Sequence, residues 1–328
     1  MSRPDVSILL VTYRCRDEAE GCLRSISTTT AGLDVEVVVL DNASGDGTVE
    51  MVASRFPDAR LIASPENLGF ARGVNRAAEE ATGEFVLLLN PDMEVHPGAV
   101  ESLVAFARAH PEHGLYGGRT LDPDGTVNAG SCWGAPSVWS LFCFAALLST
   151  TFKRNRLFDP ESLGGWKRDS VREVDIVTGC LLLAPRALWQ ELEGFDTRFF
   201  MYGEDADLCF RARALGYWPA ITPDAVVTHE IGVSSATRED KLILLFRGKA
   251  TLLRKHWRGL RLRLGLWLLT AGVGLRALLA VLGRRTDTRA AAWRQVWRQR
   301  RSWLAGYPEP APEAAPPAAA PPHGVAAG

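Results

Sequence analysis

The sequence predicts an α/β protein built around a mixed, mostly parallel sheet that is covered by helices. Short apolar runs alternate with segments of helical periodicity through the first hundred residues, which is typical of consecutive strand–helix–strand units. The chain has 328 residues, of which 47% are hydrophobic and 23% are charged, so it is long enough to form one large domain with additional segments. We therefore expect a doubly wound half-domain at the start of the chain.

Four apolar runs in this first part are predicted to be buried strands. After the first run, VSILLVTY, the residues Cys15, Ala19, Cys22, Leu23 and Ile26 recur at helical spacing, so a helix with one apolar face follows that strand. In such sheets ligands bind beyond the carboxyl ends of the strands, so polar residues that directly follow a strand are the strongest candidates for function. The predicted strands span residues 6–13, 35–40, a segment near 61 and 84–89, and the later helices span 48–55, 72–81 and 97–110.

The rest of the chain is less regular. Residues 111–175 are rich in Gly, Trp and Phe, and we expect hairpins and loops there. The later elements predicted from the pattern are a strand over 174–183, a short helix over 208–215, a strand that ends near 229 and a strongly helical region over 242–283.

These elements divide the chain into three parts. An α/β domain spans residues 1–235, with two halves that meet near residue 110. A helical region follows over 236–304, and an Ala/Pro-rich tail over 305–328 has too few large apolar side chains to form a core.

Charge and cysteine content exclude some partners and compartments. The formal net charge is −1, so the chain as a whole does not attract nucleic acid and we expect no nucleic-acid partner. The six cysteines form no CxxC pair and most lie in apolar stretches, so we expect them to be reduced. The apolar run at 6–11 is too short for the core of a signal peptide, so we expect the α/β domain to stay in the cytoplasm.

Two carboxylates directly follow predicted strands. Asp41 follows the second strand in LDNASGDGT, where it could accept hydrogen bonds from a base or a ribose. Asp92 follows the fourth strand in NPDMEV, where it could hold a hard divalent cation against a diphosphate. Both segments are also rich in turn-forming residues, so a local turn is an alternative explanation of each. The repeated placement of acids at strand ends favours a function.

A cluster of acids lies immediately before the helix predicted over 208–215. Glu204, Asp205 or Asp207 could take a proton from an attacking hydroxyl. Acids also stabilise helix N-termini, which is the alternative, but three acids in four residues exceed what one helix start needs. His229, in VVTHE, is either a neutral imidazole ligand of the same metal or a histidine of the core.

The usual phosphate-binding loops are missing from the sequence. No GxGxxG follows a strand and no GxxxxGK[ST] is present, so the charge of a diphosphate must be met in another way. A divalent cation at Asp92, helped by backbone N–H groups of the loop NLGFARGVN, is the simplest candidate.

Taken together and in order, these segments resemble the inverting family-2 glycosyltransferases, and in particular their bacterial rhamnosyltransferase-like members. The resemblance extends from about residue 6 to residue 230, and the ordered set is far more specific than any one motif. The segments are VTYRCRDEAEGCLRSI, LDNAS, NLGFARGVNRA, LLLNPD, VTGCLLL, MYGEDADLCFRARALGY and VTHE.

The resemblance implies a GT-A fold, in which a Rossmann-like nucleotide half over about 1–110 joins an acceptor half over about 111–235. It also implies a nucleotide-sugar donor that contacts eight residues of this chain. Asn90 stands where the family's metal-binding DxD motif has its first acid, and Asp92 is the last acid of that motif. The implied donor-binding residues are Thr12, Tyr13, Asp41, Asn42, Asn67, Gly69, Asn75 and Asn90.

The resemblance further implies where the acceptor, the metal and the catalytic base lie. Asp205, with Glu204 beside it, matches the acid that serves as the catalytic base. The implied reaction is a single displacement in which Asp205 deprotonates the acceptor hydroxyl. A cation, Mg²⁺ or Mn²⁺, neutralises charge on the departing diphosphate. The implied acceptor-binding residues are Gly179, Cys180 and Asp207, and the implied metal ligands are Asp92 and His229.

The C-terminal third contains an apolar stretch with basic flanks. Residues 264–282 carry a single charge, Arg276, which at the centre of a bilayer would cost about 2.5–3.5 kcal/mol. Basic residues on both sides would all prefer the cytoplasmic face, so we expect helices that lie on the inner surface of the plasma membrane rather than a span. A packed helix that forms a homo-oligomer is the alternative. The basic residues are Arg254, Lys255, Arg258, Arg261, Arg263, Arg284, Arg285 and Arg289.

Two other functions fit parts of the sequence. A sugar-phosphate nucleotidyltransferase also uses an α/β fold and a carboxylate-held metal, but it would need a basic, Gly-rich loop after the first strand, where this chain has TYRCRDEAE. A non-catalytic membrane scaffold of the same fold would not need its acids. The resemblance favours rhamnose from dTDP-rhamnose as the sugar, and a saccharide acceptor, attached to a lipid, in cell-envelope polysaccharide synthesis.

Overall fold

The computed structural model describes residues 3–229, 237–283 and 287–309. Its strands are mostly short and nearly all belong to one sheet. They are β1 (Val6–Thr12), β2 (Val35–Asp41), β3 (Arg60–Ala63), β4 (Phe85–Leu89), β5 (Met93–Val95), β6 (Tyr116–Leu121), β7 (Cys132–Trp133), β8 (Arg172–Glu173), β9 (Ile176–Val177), β10 (Leu181–Pro185) and β11 (Ala220–His229).

Helices cover the sheet and form the C-terminal region. They are α1 (Arg16–Thr29), α2 (Thr48–Arg55), α3 (Gly69–Ala78), α4 (Ala99–Ala109), α5 (Val138–Ala145), α6 (Leu148–Thr151), α7 (Arg186–Glu191), α8 (Glu204–Ala214), α9 (Arg238–His256), α10 (Gly259–Leu282), α11 (Thr288–Arg298) and α12 (Arg300–Ala305).

The main sheet has the order β3-β2-β1-β4-β10-β6-β11-β5, and β8 pairs with β11. Strands β3, β2, β1 and β4 are parallel, whereas β10 runs antiparallel to both β4 and β6. A mixed, mostly parallel sheet was predicted, and the structure confirms it. Two buried apolar clusters lie on its two faces, one with α3 and α8 and the other with α1 and α4.

The buried strands explain why the first half of the chain was the most predictable. All seven residues of β1 are buried, as expected for a parallel strand with helices on both faces. On α1 the buried residues are Ala19, Cys22, Leu23 and Ile26, which are four of the five that showed helical spacing in the sequence. The predicted helix 48–55 matches α2.

Two elements that were predicted to be continuous are each interrupted in the structure. The strand expected over 174–183 is divided at Thr178–Cys180 into β9, which pairs with β7 in a small second sheet, and β10, which pairs with β4. The helical region expected over 242–283 is divided at Trp257 and Arg258, where the backbone is extended. The guanidinium of Arg258 donates to the carbonyls of Arg254 and Lys255 and so caps the end of α9.

Residues 111–175 contain more regular structure than the hairpins and loops expected there. Helix α5 begins with a capping box in which Ser137 and Ser140 bond each other's backbone N–H groups, and α5 packs against α10. The helix could not be predicted from the composition of this stretch, because its buried side is covered by α10, which is distant in the sequence.

The C-terminal helices pack on the α/β domain and on one another. A third apolar cluster joins α5, α9, α10, α11 and Trp303. Tyr307 is 8% exposed and its backbone N–H donates to Thr251 Oγ1 at 2.7 Å, so the start of the tail predicted over 305–328 is packed. The rest of that tail, 310–328, lies outside the described residues.

Candidate active site

The carboxyl ends of β1 and β2 place Thr12 beside Asp41. The two residues are register partners, and Thr12 Oγ1 donates to Asp41 Oδ1 at 3.0 Å. The other oxygen of Asp41 accepts from the backbone N–H of Ser44 at 3.0 Å, and the side chain is 2% exposed. Asp41 thus fixes the turn after β2, and its contact with a nucleoside stays a prediction. Tyr13 is 39% exposed at the same edge, where its ring is open to a ligand.

Asn42 holds the loop that leads into α3. Its amide donates to the carbonyl of Gly69 at 3.0 Å and accepts from the N–H of Leu68 at 2.8 Å, and its side chain is buried. Asn67 Oδ1 accepts from the N–H of Gly69. Both atoms of the Asn42 amide thus hold this loop in place, and a direct contact of Asn42 with the donor stays a prediction.

A glycine is required at position 69 because the backbone there approaches the backbone of Phe200 closely. Its φ is +78°, and a Cβ at this position would lie 2.5 Å from the carbonyl oxygen of Phe200. The next N–H, of Phe70, donates to that same carbonyl at 2.7 Å. The loop after residue 67 is therefore tied to the segment that precedes α8.

Asn75 forms a second tie between α3 and the same segment. Its amide donates to the carbonyl of Phe195 and accepts from the N–H of Phe195, at 2.8 and 2.9 Å. Asn75 therefore links α3 to the segment before α8, and its contact with the donor stays a prediction.

Strand pairing brings Asp92 and His229 together. Asp92 directly precedes β5, whose Met93 is the register partner of His229 on β11. His229 Nε2 lies 3.0 Å from Asp92 Oδ2, while the buried Asp92 Oδ1 has no hydrogen-bond partner. A carboxylate oxygen and an imidazole nitrogen at this separation, with one further oxygen unpaired, fit the donor set of a divalent cation. Asn90, half-buried two residues before Asp92, anchors the turn through its backbone.

Asp205 is placed at the first turn of α8. Its Oδ1 accepts from the N–H of Ala206 at 2.7 Å and its Oδ2 accepts from the N–H of Gly179 at 3.3 Å. Gly179 lies in the break between β9 and β10, so this irregularity brings a backbone N–H to the carboxylate. The break, which the apolar pattern did not predict, is therefore part of the site.

Cys180 shows that the acids on the two sides of the site lie near each other. Burial raises the pKa of the Cys180 thiol to about 11, and the charges of Asp205 and Asp92 act in the same direction. The thiol contacts Thr178 Oγ1 at 2.8 Å, and it is a neutral neighbour of the two carboxylates rather than a nucleophile.

Burial alters the acidity of the adjacent pair Glu204 and Asp205. Burial and then the charge of Asp205 raise the pKa of Glu204 to about 8, and burial also raises the pKa of Asp205. Glu204 is 4% exposed and its Oε2 has no hydrogen-bond partner. A carboxylate with a raised pKa is a stronger proton acceptor than an exposed aspartate, which suits a general base.

Asp207 is buried and bonded to basic side chains, and its contact with the acceptor stays a prediction. Its side chain has no exposed surface, and its oxygens bond Arg211, Lys255 and His256 at 2.8 Å. Burial alone would raise the pKa of Asp207, but hydrogen bonds from His256 and Lys255 lower it to about 2. Asp207 therefore anchors α8 to the end of α9.

The loop before Asp205 is held by the C-terminal region. Tyr202 has a φ of +69°, which is rare for a residue other than glycine. On α9, Gly248 packs so closely that a Cβ would lie 1.8 Å from the carbonyl oxygen of Tyr202, and the hydroxyl of Tyr307 donates to the carbonyl of Met201 at 2.7 Å. Sequence reasoning missed these residues, because nothing in the sequence indicates which distant segment they contact.

One other group in the described part of the chain could hold a metal ion. His110, Glu112 and His113 lie together after α4 and just before β6 begins. Strand β6 runs parallel to β11. This group precedes β6 and His229 ends β11, so the two lie at opposite ends of these strands and the group is separate from the candidate site.

Comparisons with known proteins identify the family of this chain. Residues 7–174 match the model of the family described as Glycosyl transferase family 2. The chain is 31% identical over 298 residues to N-acetylglucosaminyl-diphospho-decaprenol L-rhamnosyltransferase of Mycobacterium tuberculosis (strain CDC 1551 / Oshkosh), which covers 84% of this chain and 92% of the relative. It is 28% identical to the O-antigen biosynthesis protein RfbC of Myxococcus xanthus, over 70% of this chain and 18% of that protein.

Solved structures show the same fold at low sequence identity. The mannosyltransferase PcManGT from Pyrobaculum calidifontis, in complex with GDP-Man and Mn²⁺, superposes with a TM-score of 0.55 at 20% identity, covering 93% of this chain and 84% of the mannosyltransferase. GalNAc-T7 with UDP, GalNAc and Mn²⁺ superposes with a TM-score of 0.54 at 15% identity, over 75% of this chain and 48% of that protein.

The mixed sheet covered by helices and its likeness to these solved structures identify the fold as GT-A. The chain belongs to glycosyl transferase family 2, and it is similar to the rhamnosyltransferase-like members of that family.

Proposed function

We propose that this glycosyltransferase transfers rhamnose from dTDP-rhamnose, with inversion, to a saccharide acceptor that is linked to a lipid. The observation that carries the proposal is the position of Asp205, held by the N–H of Gly179 beside the edge where Asp92 and His229 meet. The choice of sugar and acceptor is supported by the relative from Mycobacterium tuberculosis, whose name specifies L-rhamnosyl transfer to a diphospho-decaprenol substrate.

In the proposed reaction Asp205 is the general base. The acceptor hydroxyl gives its proton to a carboxylate oxygen of Asp205 as its oxygen attacks the anomeric carbon of the donor, and the bond from that carbon to the diphosphate breaks in the same step. The two N–H groups that bond Asp205 fix the direction of its carboxylate. Glu204, with its pKa raised to about 8, stays protonated near neutral pH and adds no second charge beside the base.

Asp92 and His229 would hold a divalent cation, Mg²⁺ or Mn²⁺. The unpaired buried Oδ1 of Asp92 and the Nε2 of His229 fit such an ion, and two structures of similar fold were determined with Mn²⁺. When bound, the cation would supply positive charge for the leaving diphosphate. The chain's own contribution is to hold these two side chains together through the pairing of β5 with β11.

We further propose that the protein acts at the inner face of the plasma membrane, through α10. Among the described residues, this one helix is long and apolar enough to cross a membrane, with a mean hydropathy of 1.8. Arg276 faces inward, where it donates to the carbonyl of Phe144 and lies 3.9 Å from the Phe144 ring centroid. The opposite face exposes Leu260, Trp267, Leu278, Val281 and Leu282, which favours a helix that lies on the membrane over one that spans it.

A panel of nucleotide sugars tests the proposed reaction. Full-length protein is incubated with each donor and a saccharide acceptor attached to a lipid diphosphate, with and without Mn²⁺ or Mg²⁺. We expect transfer from dTDP-rhamnose, release of dTDP, an inverted anomeric configuration in the product, and loss of transfer in EDTA. Release of pyrophosphate, or transfer from another donor in preference to dTDP-rhamnose, would contradict the proposal.

A further inference from the structure

A cleft of about 390 Å³ lies between α8 and the junction of α9 with α10, and neither Asp92 nor His229 lines it. Its walls are partly aromatic, from Phe210 and Trp257, and partly cationic. The charged and titratable side chains that line it are Asp175, Arg213, His256 and Arg261.

The acid in this cleft is already satisfied. One oxygen of Asp175 accepts from Arg213, and the other accepts from the N–H of Ala135 at 2.8 Å. His256 Nε2 lies 2.8 Å from Asp207 Oδ1, and since the Asp207 carboxylate accepts, Nε2 donates. The other ring nitrogen of His256 has no partner within the described part of the chain.

Among the charged side chains that line this cleft, Arg261 forms no ion pair with a described carboxylate. It stacks over the ring of Trp257 at 4.2 Å, and no described acid lies within ion-pair distance of it. Arg258, one turn earlier, differs because it caps α9. The cleft therefore has two guanidinium groups against a single carboxylate, and guanidinium groups are well suited to bind phosphate.

The distance from the proposed base fits an acceptor that carries such a group. Arg213 follows Asp205 by eight positions on α8, which is about 12 Å of helix. Asp175 precedes Gly179 by four positions, through β9 and into the turn that follows it, so their backbones are at most about 13 Å apart. The cleft therefore lies next to the site, and the rise along α8 separates Arg213 from Asp205 by enough for a saccharide between them.

We propose that this cleft binds a phosphate or diphosphate group, and that this group is the one joining the acceptor saccharide to its lipid. The first half of the proposal stands on the cleft alone, and the second half rests on the proposed function. Arg261 and Arg213 donate to the phosphate oxygens, and the cleft lies where α10 begins, so a lipid attached to the phosphate can continue along the exposed apolar face of α10.

The first experiment measures binding of inorganic pyrophosphate to the full-length protein by calorimetry in EDTA, so that cation-dependent binding at Asp92 does not contribute. Arg261→Gln should weaken binding at least about ten-fold, the loss of a charge-assisted hydrogen bond. Arg263→Gln, an exposed arginine of the same helix outside the cleft lining, and Asp92→Asn should leave it unchanged. No binding by the wild type, or equal binding by Arg261→Gln, would overturn the phosphate site.

The second experiment distinguishes the sources of the phosphate. Arg261→Gln should raise KM about ten-fold for an acceptor with a lipid diphosphate, and should leave KM unchanged for the same saccharide as an alkyl glycoside and for the donor. If Arg261→Gln leaves KM unchanged for both acceptors, the acceptor assignment is overturned. Weaker binding of that variant to phosphatidylglycerol vesicles would then assign the cleft to a lipid headgroup, and weaker binding to pyrophosphate alone would assign it to a free anion. Absence of transfer by the wild type, with pyrophosphate binding retained, would refute the proposed function and keep the phosphate site.

Discussion

His229 Nε2 lies 3.0 Å from Asp92 Oδ2, across the pairing of β11 with β5, although the two residues are far apart in the sequence. The position of Asp92 after a strand was visible in the sequence, whereas its partner depended on a strand order that no local pattern encodes. The pair forms because β5, only three residues long, turns back directly after Asp92 and adds to the edge of β11.

If Asp92 and His229 hold the cation, changing either residue should alter the metal concentration that the enzyme needs. Asp92→Asn and His229→Asn should each raise the Mn²⁺ concentration needed for half-maximal transfer, by about ten- to a hundred-fold, because each removes one group that would hold the ion. His110→Asn, an exposed histidine at the opposite edge of the sheet, is the control. Titration of activity with Mn²⁺ measures the effect, and an unchanged metal requirement in both variants would rule out this site.

Glu204 predicts a pH-dependent stability. Burial raises its folded-state pKa to about 8, above the ordinary value of 4.5 for a glutamate, so the stability that it contributes is present below about pH 4.5 and is lost as the pH rises toward 8. Glu204→Gln removes the cost of ionising this buried group. The Tm difference between variant and wild type should therefore shift in favour of the variant between pH 5 and pH 8.5. A difference that is constant over this range would show that Glu204 titrates normally.

Gly248 predicts that α9 supports the loop before the base. Gly248→Ala places a Cβ against the carbonyl of Tyr202, and should cost about 1–3 kcal/mol of stability and lower kcat, because the chain must shift near Asp205. Gly21→Ala is the matched control, since nothing lies within 4 Å of its Cβ on α1, and should stabilise by about 0.5–1 kcal/mol. Thermal melts and kcat together test this, and a neutral Gly248→Ala would contradict the contact.

The exposed face of α10 predicts a membrane phenotype. Replacing Leu278 and Leu282 together with Gln should reduce co-sedimentation with phosphatidylglycerol vesicles and leave Tm unchanged, since both side chains are more than half exposed. Leu268→Gln, on the buried face, should instead lower Tm. Full vesicle binding by the double variant would argue for a packed or oligomeric role of this face.

Much of the fold followed from the sequence because the strands of the first half are buried on both faces. The run VDIVTGCLLL, by contrast, gave a false continuous strand, since apolar character does not reveal that Gly179 turns its N–H toward Asp205. The bonds of Asp207 to Lys255 and His256 could not be predicted, because they depend on how α9 packs on α8. The sequence therefore indicated which acids to examine, and the structure showed that they have different hydrogen-bond partners.

The most direct test of the account is the turnover of Asp205→Asn under saturating donor and acceptor. We predict that kcat falls by about 10²–10⁴-fold, while the donor dissociation constant and Tm stay close to those of the wild type, because only proton removal from the acceptor is lost. A kcat within a few-fold of the wild-type value would contradict the assignment of Asp205 as the base.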